Sequence, residues 1–323
     1  MKRAALDILR CPDCGGVLTS TDATDSDIID GELVCATGHR HQVRGGIPRF
    51  VPADNYATTF GFQWNLFRET QLDRHSGHPI SADRFWKSTG WTPAQLTGKR
   101  VLDIGCGAGR FTEVALSAGA EVVALDYSSA VDACLANHAA STHLTVVQGD
   151  IYHLPVKPGA FDFVYCLGVL QHTPDVHRAF ASLKAPIAPG GRLAVDVYGK
   201  SVLSLFTGKY WVRPVTTRVE RDRLFALVRK YVPIFLPVSV AIGRVPVVGR
   251  KLRSIVPISN YDGILPLSKA QQVEWSILDT FDMLSPAYDQ PQTPETLRTW
   301  FADAGYRDVA VFKEGHVVGR GVV

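Results

Sequence analysis

The sequence predicts an α/β fold, with strands and amphipathic helices alternating about a sheet, a small metal-held module in front and a helical lid inserted late. Three observations carry this expectation. A short apolar strand runs into a glycine-rich turn and then a helix across Arg100–Phe111. Acidic residues, Asp126 and Asp150, end the next two apolar runs, Glu121–Asp126 and Leu144–Asp150. Four metal-ligating residues, Cys11, Cys14, Cys35 and His39, arrive as two close pairs near the start.

Of 323 residues, 46% are hydrophobic and 20% charged, the balance of a globular chain and not of a disordered one. That length leaves room for a core domain plus additions. The first residues lack the apolar stretch of a signal peptide. No run of about 18 uninterrupted apolar residues marks a transmembrane helix. The six cysteines do not form the even framework of a small secreted protein. These features favour a cytoplasmic protein with reduced thiols. Charge is uneven: Gly199–Ile258 holds twelve lysines and arginines against Glu220 and Asp222, so it carries +10 of a chain whose net charge is +3. A basic segment on an otherwise acidic protein points to an anionic partner such as a phosphate-bearing substrate, a membrane surface or nucleic acid.

At the start, Cys11-Pro-Asp-Cys14 is followed by Cys35 and His39. A tetrahedral zinc site takes four soft or borderline ligands, and two tight turns supply them with little chain. Pro12 and Gly15-Gly16 make the first turn, and Gly38 helps the second. The gap between the pairs is long, and the acidic stretch 21–31 within it reads as a solvent-exposed excursion. His41 is an alternative fourth ligand. His39 is preferred because the chain then continues as strand and turn toward Gly45–Val51, where the module (1–52) ends. Two unrelated cysteine pairs without metal are the plain alternative. A zinc held here would be closed and structural.

The core is expected over 98–198. In Arg100-Val-Leu-Asp103-Ile-Gly105-Cys106-Gly107-Ala-Gly109-Arg110-Phe111, the glycines admit positive φ and close approach of backbone to a ligand. The helix beyond presents its N-terminus there. Such a turn alone is weak evidence, since dinucleotide enzymes use a similar one. Asp103 could meet the amino group of a bound amino acid, and Asp126 stands where an acid binds ribose hydroxyls in related sites. Asp150 is followed by Ile151. A fourth strand, Phe161–Leu167, leads to His172, and a turn near Gly190 leads into a fifth strand. Solvated loop acids are the bland reading of Asp126 and Asp150. Cys106 and Cys166 read as packing residues and not nucleophiles.

This ordered series resembles the class I S-adenosylmethionine-dependent methyltransferases over residues 98–198. The resemblance implies a Rossmann-like, seven-stranded sheet and S-adenosyl-L-methionine as cofactor. It gives Asp103 and the Gly105–Gly109 turn, with Cys106, Gly107 and Arg110, to the methionine portion. Asp126, with Tyr127 beside it, falls to the ribose, Asp150 and Ile151 to the adenine, and Cys166 and Leu167 to the sulfonium. The first segment resembles the zinc-ribbon-like (Trm112-like) modules at the start of some bacterial methyltransferases, including enzymes acting on guanine in large-subunit rRNA.

Upstream of the core, residues 53–97 open with an aromatic-rich stretch, Tyr56–Phe67, expected either to cover the cofactor or to pack as a helix on the sheet. Residues 199–292 form the basic, apolar insertion. Pro233, Pro237, Pro246 and Arg244 argue against a spanning helix and for two or three short amphipathic helices. These form a lid, with peripheral membrane contact through 225–253 as the lesser reading. Residues 293–323 should add a helix with proline in its first turn and a final hairpin. The insertion, with its Leu278–Asp282 and Tyr288–Thr293 phrases, resembles bacterial methyltransferases of sugar, polysaccharide or lipid-linked pathways.

Methyl transfer to oxygen benefits from a base. His172 is the first candidate, with Asp279, Asp282 and Tyr288 behind it; a loop-shaping role is the alternative for His172. The leading expectation is O-methylation of a small-molecule, glycan or lipid-linked acceptor. The alternatives are an rRNA or tRNA methyltransferase and a non-catalytic scaffold. Nucleic acid is the weaker partner because the basic residues are interleaved with apolar ones and prolines. The Asn/Asp-Pro-Pro-Tyr signature of many nucleobase amino methyltransferases is replaced by Cys166-Leu-Gly-Val.

Overall fold

The computed structural model describes residues 1–22, 27–52, 54–200 and 207–323. Parts of three sequence expectations lie outside the described residues: 23–26 of the acidic excursion, 53 at the start of the cover and 201–206 at the start of the lid.

Strands β1 (Leu18–Ser20), β2 (Gly31–Cys35), β3 (Arg40–Arg44) and β4 (Ile47–Arg49) form an antiparallel meander. Helices α1 (Thr58–Leu66), α2 (Asp73–Ser76), α3 (Ile80–Thr89) and α4 (Pro93–Leu96) follow. The core then alternates β5 (Arg100–Ile104), α5 (Arg110–Ser117), β6 (Glu121–Asp126), α6 (Ala130–His138), β7 (Leu144–Gln148), β8 (Phe161–Leu167), α7 (Val176–Ser182) and β9 (Ile187–Val197). The insertion holds α8 (Gly208–Thr216), α9 (Arg221–Gly243), α10 (Gly249–Leu252) and α11 (Lys269–Leu284). Helix α12 (Pro294–Asp303), β10 (Arg307–Glu314) and β11 (His316–Val322) close the chain. Pro294 takes the first turn of α12, and Thr293 caps it by accepting from the Thr296 amide at 3.1 Å.

Strand order is β1-β2-β3-β4-β7-β6-β5-β8-β9-β11-β10. Within it, β7-β6-β5-β8-β9 is parallel, and β11 returns antiparallel against β9. The expected sheet of seven strands is β5–β11. The module extends it, because β4 pairs in parallel with the β7 edge at Arg49 and Gln148, and the Phe50 amide donates to the Gln148 carbonyl at 2.9 Å. Covering an edge in this way removes a row of unpaired backbone groups. The order reverses at β5, the switch point where open α/β sheets leave a crevice beyond their carboxyl ends.

The lid departs from expectation. The structure holds one 23-residue helix, α9, that continues through Pro233 and Pro237. Each proline deprives the carbonyl four residues earlier of its donor. Those carbonyls belong to Arg229 and Pro233, both exposed residues. The inner face, Leu224, Phe225, Val228, Val232 and Leu236, packs with Phe281 and Leu284 of α11 and with Phe62 of α1.

Module and core share one apolar interior. Leu9, Leu33 and Val43 lie in the same cluster as Leu125, Val147, Ile151 and Val156. Backbone bonds from Arg10 to the Pro155 carbonyl (3.0 Å) and from Lys157 to the Ile8 carbonyl (2.7 Å) reinforce the join. Leu9→Ala should therefore destabilise the whole chain by about 2–5 kcal/mol. Urea unfolding followed by fluorescence and circular dichroism should show one shifted transition; a separate early transition would mean the module folds on its own.

Candidate active site

A cavity of about 830 Å³ opens at the carboxyl ends of β5, β6 and β8. Its floor is the glycine turn. Gly105 adopts φ +80°, and a Cβ there would fall 2.2 Å from Val169 Cγ2, so only glycine fits without displacement. Gly107 donates its amide to Asp126 Oδ2 at 2.9 Å, tying the turn to the end of β6. Asp126 Oδ1 accepts from the Ser128 amide (2.8 Å) and hydroxyl (2.7 Å). Burial pushes the Asp126 carboxyl above its ordinary pKa, while these bonds pull it back.

Helix α1 roofs this end, with Tyr56, Phe60 and Trp64 on the cavity wall, so the aromatic stretch covers the site. The Tyr56 ring stacks on Tyr127 at 4.9 Å. Gly105, Cys106, Gly107 and Arg110 line the cavity, as do Tyr127, Ile151 and Leu167.

Five residues singled out from the sequence do not line it. Asp103 is 2% exposed, and its Oδ2 accepts from Thr112 Oγ1 of α5 at 2.6 Å, so the helix has captured it. Burial pushes its carboxyl up to about 7. Gly109 (φ +90°) shapes the start of α5, where a Cβ would meet His138 at 2.6 Å. Asp150 folds back to accept from the Tyr152 amide at 2.9 Å and leaves the wall to Ile151. Cys166 is fully buried within β8. Tyr288 contributes its backbone: its carbonyl accepts from His172 Nδ1 at 2.9 Å.

That last contact sets the histidine's tautomer. A carbonyl only accepts, so Nδ1 carries the hydrogen and Nε2 keeps the lone pair. His172 lines the cavity, its ring held between Phe60 (5.2 Å) and Tyr198 (5.3 Å). Nε2 is buried and has no hydrogen-bond partner among the described residues. Burial lowers the His172 pKa, outweighing the opposite pull of Asp282 and the Tyr288 carbonyl.

Asp279 and Asp282, one helical turn apart on α11, both reach the far end of the cavity. Asp279 accepts from Gln71 Nε2 at 3.0 Å and from the Tyr261 hydroxyl, and burial raises it to about 6. Asp282 accepts from Gln63 Nε2 at 2.5 Å. Sequence reading missed Arg84 of α3, which lines this end and bonds Asp196 Oδ2 at 2.7 Å. It also missed Gln71, Tyr261 and His316. These sit on separate elements with no shared spacing, so only the fold assembles them.

Away from the cavity, Cys11, Cys14, Cys35 and His39 bring four ligand atoms within 4.8 Å of one another. His39 Nδ1 lies 3.6 Å from Cys11 Sγ and 3.4 Å from Cys35 Sγ, and Cys14 and Cys35 sulfurs are 3.6 Å apart. Zinc bonds of about 2.0–2.3 Å in a tetrahedron place ligand atoms at such separations. His41 Nε2 approaches Cys11 at 3.4 Å and Asp13 at 3.6 Å, forming a neighbouring group that shares one sulfur.

Comparison with known proteins adds the family. Residues 102–195 match the methyltransferase domain family. An uncharacterized protein of Synechococcus is 30% identical over 229 residues, 67% of this chain and 49% of that protein. The ubiquinone biosynthesis O-methyltransferase of Paraburkholderia phymatum is 33% identical over 114 residues, 34% of this chain and 49% of that protein. A solved Methanococcus maripaludis structure, described as a putative S-adenosyl-L-methionine-dependent methyltransferase, aligns with TM-score 0.45 at 14% identity over 84% of this chain and 95% of that one. The chain spans about half the length of the curated relatives it matches. Residues 102–195 thus carry a class I S-adenosylmethionine-dependent methyltransferase domain.

Proposed function

We propose that the protein transfers the methyl group of S-adenosylmethionine to an oxygen of a small-molecule, glycan or lipid-linked acceptor. The observation that carries this reading is the buried His172, its Nδ1 spent on the Tyr288 carbonyl and its Nε2 lone pair unpartnered. A buried polar atom without a partner marks a place where a ligand group completes the site. An acceptor hydroxyl bonded to Nε2 would satisfy it, and the ring would take the proton as the oxygen forms its new bond to carbon. Relatives named as O-methyltransferases support the choice of oxygen.

The cofactor supplies an already activated methyl group, so the chain's task is alignment and exclusion of water. Gly105–Gly107 would hold the methionine portion and Asp126, on the cavity wall, would take a ribose hydroxyl. Tyr127 and Ile151 would flank the adenine, and Leu167 would lie beside the methyl. The acceptor would occupy the end walled by Arg84, Tyr198, Tyr261 and Asp279. Zinc, held by Cys11, Cys14, Cys35 and His39, would be structural.

Three measurements test this reading. Asp126→Asn should weaken S-adenosylmethionine binding about tenfold or more by calorimetry, the cost of a lost charge-assisted bond. Wild-type protein that shows no cofactor binding would sink the proposal.

His172→Gln should lower kcat by about 10²–10⁴ while cofactor affinity holds. Burial favours the neutral ring, so the base form persists at neutral pH. Activity should fall only as pH drops through the lowered pKa, below the ordinary histidine value, and this acid limb should differ in His172→Gln. Asp279→Asn serves as control, because Asp279, raised to about 6 by burial, is a second buried group of the cavity able to titrate on the acid side.

Elemental analysis should find one zinc per chain, and Cys14→Ser should both lose it and lower the melting temperature. Full metal retention in that variant would remove Cys14 from the ligand set.

A further inference from the structure

The exposed apolar side chains of this protein are not scattered. Of sixteen large hydrophobic residues exposed among the described residues, twelve lie between Trp211 and Ile264. Scattered exposed hydrophobics are normal, but a contiguous patch marks an interaction surface.

The second half of α9 forms the centre of the patch. Its exposed positions from 233 to 241 are Pro233, Ile234, Phe235, Pro237, Val238 and Ala241, with no polar residue among them. Ile234 is 60% exposed and Phe235 47%. The turn beyond continues the surface through Val245, Pro246, Val247 and Val248, with Val247 at 98%. Val247 also holds φ +68°, the left-handed region that a β-branched residue rarely adopts, so the backbone there is bent to aim an apolar side chain outward. Basic residues edge and interrupt the patch: Arg229 and Lys230 before it, Arg244 between helix and turn, and Lys251 after it. Arg229, Lys230 and Lys251 form no ion pair among the described residues. Arg244 reaches Asp262 at 3.4 Å with 72% of its side chain exposed.

By length and composition alone α9 could cross a membrane; its apolar window has a mean hydropathy of 1.6. Its inner face argues for lying flat instead, since Leu224, Phe225, Val228, Val232 and Leu236 are committed to α11 and α1. A helix with an apolar face and basic flanks sinks about 5–10 Å into the headgroup boundary, and each Lys or Arg near an anionic surface strengthens the attachment. Charge complementarity thus selects the occupant over a generic apolar partner.

The patch is also wired to the cavity. Arg244 and Arg253 both hold Asp262, the former through the carboxylate and the latter through the backbone carbonyl at 3.5 Å. Two residues on, Ile264 lines the cavity while 57% exposed, and Leu265 and Pro266 line it beside Ile264. An exposed apolar side chain thus stands at the cavity edge, in the segment that these two arginines hold.

We propose that the outer face of α9 and the 245–248 turn dock on an anionic lipid bilayer, so that an acceptor anchored in lipid reaches the cavity past Ile264–Pro266. The docking stands on the surface alone; the choice of acceptor rests on the methyltransferase reading above. The test is co-sedimentation of the full chain with vesicles of phosphatidylglycerol and phosphatidylcholine in equal parts, against vesicles of phosphatidylcholine alone. The chain should partition to the anionic vesicles, less so at high salt. Phe235→Asp and Val247→Asp should each reduce that partition about tenfold, with S-adenosylmethionine affinity unchanged. Absence of vesicle binding, or binding that both variants retain, would overturn the proposal. So would a dimer seen by light scattering that Phe235→Asp dissolves, since a second copy would then be the occupant. Loss of cofactor binding in wild type would instead strike the methyltransferase reading and leave the docking result intact.

Discussion

A carboxylate at the end of β9 fixes where the cavity stands. Asp196 is 1% exposed, accepts from Arg84 of α3 at 2.7 Å and also from the amide of Gly168 just past β8. Burial alone would raise its pKa, but Arg84 holds it below the ordinary carboxylate value. Three segments distant in sequence meet at this one charge: the helical cover, the turn after β8 and the last parallel strand. Desolvating two charges costs several kcal/mol per ion, so a buried pair is poor evidence of stability by itself. Its use here is positional. The pair sets α3 against the strand ends, so the cover bearing Gln71 and Arg84 cannot slide relative to Leu167 and His172.

The cofactor half was legible because its constraints are local. Gly105 needs a positive φ and an absent Cβ, Asp126 must end β6 within reach of the Gly107 amide, and both demands fall within one βαβ unit. Sequence reading placed α5, the strand series and the closing hairpin for the same reason. Asp103 shows the limit. Thr112, nine residues on, donates to its carboxylate, and only packing reveals that. The acceptor half was largely illegible. Arg84, Gln71, Tyr261 and His316 come from four elements and follow no period, although Asp279 and Asp282 were visible as an i, i+3 pair on a helix.

Proline misled the reading of the lid for an instructive reason. The rule that proline breaks a helix counts the lost donor and the steric clash. It presumes that the freed carbonyl is costly. On α9 both freed carbonyls belong to exposed residues, and the apolar inner face supplies packing that holds the helix. The prolines thereby become part of the outer surface and help make it apolar. The module's join to the core has no signal in the sequence: β4 extends the sheet at the β7 edge, and Leu9, Leu33 and Val43 share the cluster of Ile151. A metal that organises Cys11 and Cys35, themselves in that cluster, would bear on the wall of the cavity without touching it.

The polar character of the protein changes along one path from cavity to surface. At the glycine turn, hydrogen bonds are directional and nearly saturated. Past Leu167 the cavity becomes a buried electrostatic mosaic, where burial holds His172 neutral and raises Asp279 to about 6. Beyond Tyr261 it turns apolar through Ile264 and emerges on a surface edged by arginine and lysine. A freely soluble acceptor would gain little from such an exit. An acceptor with a polar head and an apolar tail would match it end to end, because the tail could stay against apolar side chains while the head entered the mosaic. On the proposed reading the lid would both close the site and select what approaches it.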